Sequence, residues 1–196
     1  MDNLQKSAES FSRLLDKSYH IVAGSKNKKI FIDLYFSKEH FFHLLGLHKL
    51  SDIDVWNASK NKEMIFDSIL NNDITYDHIC RSSFFDEIMP RLTYFFLTEN
   101  VLDSNDIVIS YNKNRNKSSI TAKYLITYKF NNNYLHWFID TDKKSGKSYL
   151  RTFFPRPDTD YIDCQRKYKV LQKVKNNITT GNKIVICDKL TQAKNY

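Results

Sequence analysis

Apolar positions along the first fifteen residues recur every three or four places. Leu4, Ala8, Phe11, Leu14 and Leu15 fall on one helical face, which predicts an amphipathic helix over residues 4–15 that ends before Tyr19. The pattern then tightens. Residues 20–22 and 29–36 are β-rich runs, and the polar residues 23–27 between them read as a hairpin loop. Ser37 has the chemistry to cap a further helix, with Glu39 favourably placed in its first turn. Helical spacing returns over residues 60–70 and 76–89, where Pro90 reads as a break. The second half changes character. Residues 107–111, 120–130, 134–140 and 148–154 are strand-like, and the connectors NKNRNKSS, NNN and TDKKSGK are polar turn material. Short links of this kind favour one antiparallel sheet of four strands. Residues 163–175 read as a basic helix and residues 183–187 as a short closing strand. The expectation is a single α+β domain over residues 1–196. Its mainly helical part with a short hairpin, residues 1–106, packs on a four-stranded antiparallel sheet followed by a tail, residues 107–196.

Composition and charge refine this picture. The 196 residues are 41% hydrophobic, enough for one good core. Nothing near Met1 resembles a leader, and no apolar run approaches the roughly 18 residues needed to cross a membrane, so a soluble, cytoplasmic protein is expected. Cys80, Cys164 and Cys187 lie far apart and read as free thiols. The net charge of +8 is unevenly placed: residues 1–106 hold 12 Lys+Arg against 16 Asp+Glu, and residues 107–196 hold 18 against 6. The two halves therefore carry −4 and +12. Residues 107–139 contain no acid, and Lys113, Arg115, Lys117, Lys123 and Lys129 alternate there with Tyr111, Tyr124 and Tyr128. Cations interleaved with aromatics suit a polyanion whose bases can stack, and a solvated face or an acidic protein partner is the other reading.

The chemistry concentrates in two segments. In SKEHFFHLLGLHKL, residues 37–50, three histidines and a lysine interrupt an apolar run. Histidine is the side chain most easily poised for proton transfer near neutral pH. On one unbroken helix His40, His43 and Leu47 share a face, while His48 lies about 140° around from His43. Gly46 offers a way out, because a left-handed glycine ends a helix and lets Leu47, His48 and Lys49 turn back toward the same pocket. The competing reading is a core helix whose histidines bond to carbonyls. His40 and His43 at i and i+3 allow two metal ligands on one face, yet no nearby carboxylate or cysteine completes a pattern, and no metal is expected. None of the four glycines forms a phosphate-cradling loop, and no cofactor is expected.

The second segment is KSYLRTFFPRP, residues 147–157. Alternation along a strand places Tyr149, Arg151 and Phe153 on one face and Leu150, Thr152 and Phe154 on the other, so Thr152 faces the core unless a bulge re-aims it. Arg151 could clamp a phosphate, and Tyr149 could stack on a base or donate a proton; a cross-strand ion pair with Asp140 is the alternative for Arg151. On the neighbouring strand Lys123, Leu125, Thr127 and Lys129 form a face expected to be open. His136 shares a face with Tyr134 and Phe138, where packing among the aromatics is the expected role and chemistry the alternative. Lys123, Lys129, Tyr128, Lys147 and Arg156 are the expected substrate contacts.

FSKEHFFHLLGLHKLSD, residues 36–52, followed by SYLRTFFPRPDTDYI, residues 148–162, resembles the fourth phage-associated branch of the barnase-EndoU-colicin-RelE nuclease group. The resemblance implies helices on a four-stranded antiparallel sheet and a metal-independent RNase, often a toxin or phage-conflict effector. It carries over His43, His48, Lys49, Arg151 and Thr152 as site residues. The mechanism it suggests is attack by an RNA 2'-hydroxyl on the adjacent phosphorus, giving a 2',3'-cyclic phosphate, with His43 or His48 as base and Arg151 and Lys49 on the phosphate. An acidic antitoxin or immunity protein is the partner such an enzyme implies. A non-catalytic RNA-binding or regulatory module, and an adaptor for an acidic protein, are the rival readings.

Overall fold

A computed structural model of the chain describes residues 2–54 and 61–192. The Asp2 carboxylate accepts from the Gln5 amide and caps α1 (Asn3–Ser12), which buries Leu4, Ala8 and Phe11. β1 (Lys17–Ser25) and β2 (Lys28–Tyr35) form an antiparallel hairpin. The loop expected over residues 23–27 is shorter, because Ala23 and Ser25 pair with Ile30 and Lys28. α2 (Lys38–Leu44) follows, then a 3-10 turn at Leu47–Lys49 and α3 (Lys62–Leu70), whose cap is the Asn61 side chain. Lys60, where the sequence placed the start of α3, lies outside the described residues.

The helix expected over residues 76–89 is divided. α4 (Tyr76–Ile79) and a 3-10 turn at Phe85–Glu87 precede α5 (Met89–Tyr94), in whose first turn Pro90 sits. A proline there gives up an amide with no helical partner, so Pro90 opens a helix instead of breaking one. A 3-10 turn at Phe95–Leu97 leads into α6 (Thr98–Ser104). The remaining strands are β3 (Ile107–Ser110), β4 (Tyr124–Phe130), β5 (Asn133–Thr141), β6 (Ser148–Arg156), β7 (Arg166–Asn177) and β8 (Lys183–Asp188), and α7 (Lys189–Gln192) ends the described chain.

The architecture overturns the expected helices on a four-stranded antiparallel sheet. The strand order is β1-β2-β6-β5-β4-β3-β7-β8, and β1 also pairs with β7, so seven strands close a barrel and β8 is appended outside it. Three features of the chain explain the difference. The N-terminal hairpin belongs to the barrel wall: β1 pairs from Lys17 to Gly24 with β7, and β2 joins β6 in parallel through Leu34 opposite Ser148 and Tyr35 opposite Tyr149. Residues 163–175 are expected as a helix, but residues 166–177 form the longest strand among the described residues, with Tyr168 and Val170 buried between exposed Lys167 and Lys169 in a period of two. β8 is the strand the sequence expected near residue 183, but it extends the sheet past the closure instead of completing it.

The barrel interior and the helices share one core. Ile21, Ile32, Trp137 and Phe153 from the strands cluster with Phe11, Phe41, Phe66 and Phe95 from the helical part. Ring centroids of Phe41 and Phe66 lie 4.9 Å apart, those of Phe11 and Phe41 5.6 Å, and those of Phe95 and Phe153 5.5 Å. Edge-on and tilted rings at these spacings add about 0.5–1.5 kcal/mol per pair to the burial itself. Lys173 on β7 is 1% exposed, and its Nζ donates to the carbonyls of Leu102 at 2.7 Å and Asn105 at 2.6 Å and to Asn105 Oδ1 at 2.8 Å. It thereby satisfies carbonyls at the end of α6. Burial pushes its pKa down to about 8.

A second cluster lies on the outer face of β3, β4 and β5, where Ile109, Leu125 and Phe138 pack with Tyr111, Tyr161 and Ile162. The face expected to present lysines is therefore closed at Leu125. His136 belongs to this layer, 0% exposed beside Phe138, Phe154 and Tyr161. Neither of its ring nitrogens has a hydrogen-bonding partner among the described residues. Its role is packing, and burial pushes its pKa down to about 4. The unfolded chain takes up that proton near the ordinary value of 6.5, so stability attributable to His136 is lost as pH falls from about 6.5 to about 4. His136→Leu is expected to raise stability by about 1–3 kcal/mol at acidic pH by removing an unpaired buried polar ring. Urea unfolding of both proteins at pH 5 and pH 7 checks this, with the larger gain at pH 5.

Candidate active site

Gly46 decides the shape of the site. It takes φ +78°, ends α2 and turns the chain into the 3-10 turn that carries His48 and Lys49, as its sequence position predicts. A Cβ on Gly46 would lie 3.2 Å from both Arg91 Cδ and Ile88 Cγ2, so a side chain here would also press on the residues at the start of α5. The turn brings His48 against His43, with Nδ1 to Nδ1 at 3.3 Å. Lys62 at the start of α3 reaches His43 from the other side, Nζ to Nε2 at 2.8 Å.

These contacts fix the protons. An ammonium donates and cannot accept, so His43 Nε2 accepts from Lys62 and the neutral His43 ring carries its hydrogen on Nδ1. That hydrogen is donated to His48 Nδ1, which leaves the His48 hydrogen on Nε2. The row Lys62, His43, His48 is thus a directed chain of donors. The imidazoles are held neutral. Burial, and after it the Lys62 ammonium, keeps His43 below its ordinary pKa. Burial first, then the charges of His43, Arg91, Lys49 and Lys62, pushes His48 down to about 4. His40 is lowered by burial, with the Glu39 carboxylate opposing that shift from 3.8 Å.

β6 supplies the facing wall, and a bulge sets its side chains. Phe138 pairs with Thr152 but Ile139 pairs with Leu150, so Arg151 is the extra residue. Strict alternation is broken: Leu150 and Phe153 enter the barrel core, while Tyr149, Arg151 and Thr152 all line the cavity with His40, His43 and His48. Tyr149 stacks on His40 with centroids 4.9 Å apart and planes 13° from parallel. Thr152, assigned to the core by alternation, instead meets Arg91, Nη1 to Oγ1 at 3.4 Å.

Arg91 is the residue that sequence reasoning missed. Its Nη1 also donates to the Leu44 carbonyl at 3.1 Å at the end of α2, and its guanidinium lies 5.8 Å from the Phe154 ring centre. Among the described residues no carboxylate lies within ion-pair distance of it, and burial pushes its pKa down to about 10. The one signal was a lone arginine after Pro90 within the apolar run of Ile88, Leu92 and Phe95. Lys62 gave no signal, since its place depends on α3 packing against α2.

The other expected residues divide. Arg151 forms the ion pair with Asp140 that the sequence allowed, 2.7 Å and partly exposed, with Tyr149 Oη 3.5 Å away. Lys49 pairs with Glu87 at 3.0 Å. Lys147 lies beside the histidines, its Nζ 4.6 Å from the Tyr35 ring centre, and Arg156 borders the cavity on the side of Arg91. Lys123 lines a neighbouring concavity with Asp140 and Asp142. Tyr128 and Lys129 are not brought to the site; they line a separate depression with Asp106 and Lys167. Among the described residues no three His, Cys, Asp or Glu side chains are grouped to hold a metal ion. No described helix is long and apolar enough to cross a membrane. Cys80, Cys164 and Cys187 are free thiols.

Two outcomes test this geometry. Gly46→Ala is expected to cost about 1–2 kcal/mol from the left-handed backbone alone and to separate His48 from His43; urea unfolding and the His48 ring resonances report the two effects. In wild type the His43 and His48 rings should titrate below the ordinary imidazole range. Lys62→Met should move the His43 midpoint upward in an NMR titration, because a cation that disfavours the imidazolium is removed.

A family described as phage-Barnase-EndoU-ColicinE5/D-RelE like nuclease4 matches residues 3–190. No curated protein and no solved structure matches the chain.

Proposed function

Because the chain belongs to the phage-Barnase-EndoU-ColicinE5/D-RelE like nuclease4 family, and is a nuclease, we propose that it is an endoribonuclease that cuts RNA by acid–base catalysis without a metal ion. One observation carries the reading: His43 and His48 of the Lys62-His43-His48 donor row line one cavity with Thr152, and Thr152 meets Arg91, which has no carboxylate partner among the described residues and lines the adjoining concavity.

The groups divide the work. The 2'-oxygen forms a bond to phosphorus while the bond from phosphorus to the 5'-oxygen breaks. His40 takes the 2'-hydroxyl proton, and Glu39 stabilises the imidazolium that results. His48 Nε2 gives its hydrogen to the departing 5'-oxygen and regains one from His43, which is resupplied by Lys62. No buried imidazolium need form along that row, which suits rings whose pKa values are depressed. Arg91 and Thr152 hold the phosphate as its charge grows, and Arg91 needs no carboxylate displaced to do so. Lys49 and Arg151, each already paired with an acid, steer the polyanion. The products are a 2',3'-cyclic phosphate and a 5'-hydroxyl. The net charge of +12 over residues 107–196 that favours RNA also fits an acidic inhibitor protein, as a toxin would require.

Cleavage of cellular RNA in excess EDTA tests this reading. Wild type should leave cyclic phosphate ends and spare DNA of the same sequence. His48→Ala should lose about 100- to 10,000-fold in kcat/KM, and Arg91→Ala about 100- to 1,000-fold. The rate should fall only at pH below the ordinary imidazole value of 6.5, as the neutral imidazoles, whose pKa values burial lowers, become protonated. Equal cutting of DNA refutes the 2'-hydroxyl mechanism. RNA binding without any cleavage would make the chain a non-catalytic RNA-binding module.

A further inference from the structure

The cavity with the histidines is the middle of three. It measures about 510 Å³ and is flanked by concavities of about 480 and 420 Å³. The three are continuous. His40, His43 and Tyr149 line both the first and the middle, while Ser119, Ile120 and Thr152 line both the middle and the third. Each volume lies within the range of about 300–1,000 Å³ usual for a small-ligand pocket.

The two flanks repeat one chemistry. In the first, Lys147 Nζ lies 4.6 Å from the centre of the Tyr35 ring. In the third, Arg156 lies 5.9 Å from the centre of the Tyr161 ring. Lys147 and Arg156 are exposed, and neither has a carboxylate within ion-pair distance among the described residues. An aromatic face accepts any base by stacking, and a free cation beside it accepts a phosphate. The other cations along the track are paired: Arg151, in the middle cavity, with Asp140, and Lys49, in the third, with Glu87.

Resting on the reading of the site as an RNA-cleaving centre, we propose that the cleft takes an unpaired RNA strand across its whole length, with separate base-stacking seats at Tyr35 and Tyr161 on opposite sides of the phosphate that is cut. The strand must be unpaired there, because stacking on a protein ring needs a base face that a duplex keeps covered. Sequence preference should be weak, since neither seat is built around a base-edge contact.

The test fixes the cut position by using a hexadeoxynucleotide with a single central ribonucleotide, and removes bases one at a time as abasic sites on either side of that linkage. In wild type each abasic site should lower kcat/KM by about fivefold to a hundredfold. Tyr35→Leu and Tyr161→Leu keep the apolar packing and remove the ring, and circular dichroism confirms that both variants fold. Each variant should become indifferent to the abasic site on its own side and remain sensitive to the one on the other. Unchanged sensitivity in both variants, or loss of sensitivity to the same abasic site in both, overturns the two-seat arrangement. Failure of wild type to cut the intact chimera and cellular RNA alike overturns the ribonuclease reading itself, which separates the two failures.

Discussion

The short parallel seam between β2 and β6 is the constraint on which the site depends. Two residue pairs make it, Leu34 with Ser148 and Tyr35 with Tyr149, and they join segments more than a hundred residues apart in the chain. β2 runs directly into α2, so wherever β2 is fixed the histidines of α2 are delivered over the end of β6. The stacking of His40 on Tyr149 is the immediate result. Barrel closure through β1 and β7 holds the seam from the far side, since β1 cannot move without breaking a pairing that extends from Lys17 to Gly24. The phenylalanines then lock the helices in place: Phe41 of α2 touches Phe11, Phe66 and Phe95, so the histidine-bearing helix is gripped from three directions.

Among the described residues, charge is distributed around this frame in a way that leaves Arg91 without a carboxylate partner. Four basic side chains surround two neutral imidazoles. Lys49 and Arg151 have carboxylates of their own, Lys62 spends a donor on His43, and Arg91 rests on carbonyls and a hydroxyl. Carbonyl groups at the end of α2 compensate part of the guanidinium charge through the helix dipole without neutralising it. An anion seated at Thr152, where the histidine cavity meets the concavity lined by Arg91, therefore meets a guanidinium already held in position. The cost of ordering it has been met during folding, and that is how a preorganised site gains strength over water.

Much of the centre was legible in the sequence because it is encoded locally. Gly46 between two histidine-bearing segments announces a left-handed turn, and that turn alone is enough to bring His48 beside His43. The outer layer around His136 also follows from simple alternation on β5. What escaped local reading depends on contacts between distant segments or on a change of register. Residues 166–177 carry lysines at spacings that suit a helix as well as a strand, and only pairing with β1 and β3 decides between them. The bulge at Arg151 leaves no mark in composition, yet it turns Thr152 from the core to the cavity. Arg91 acquires its meaning solely from the packing of α5 against Gly46.

The appended strand β8 has a consequence of a different kind. It covers part of β7 but ends the sheet, and Ile184 and Val185 stand 62% and 60% exposed upon it. A terminal strand with apolar side chains offers a template on which strands of other molecules can assemble. Lys183 at its start supplies a charge that discourages such stacking. The strip of the sheet most open to association is thus one strand away from the barrel, on β8 beside β7, and none of the histidine-site residues lies on it, so solubilising substitutions there leave the histidines in place.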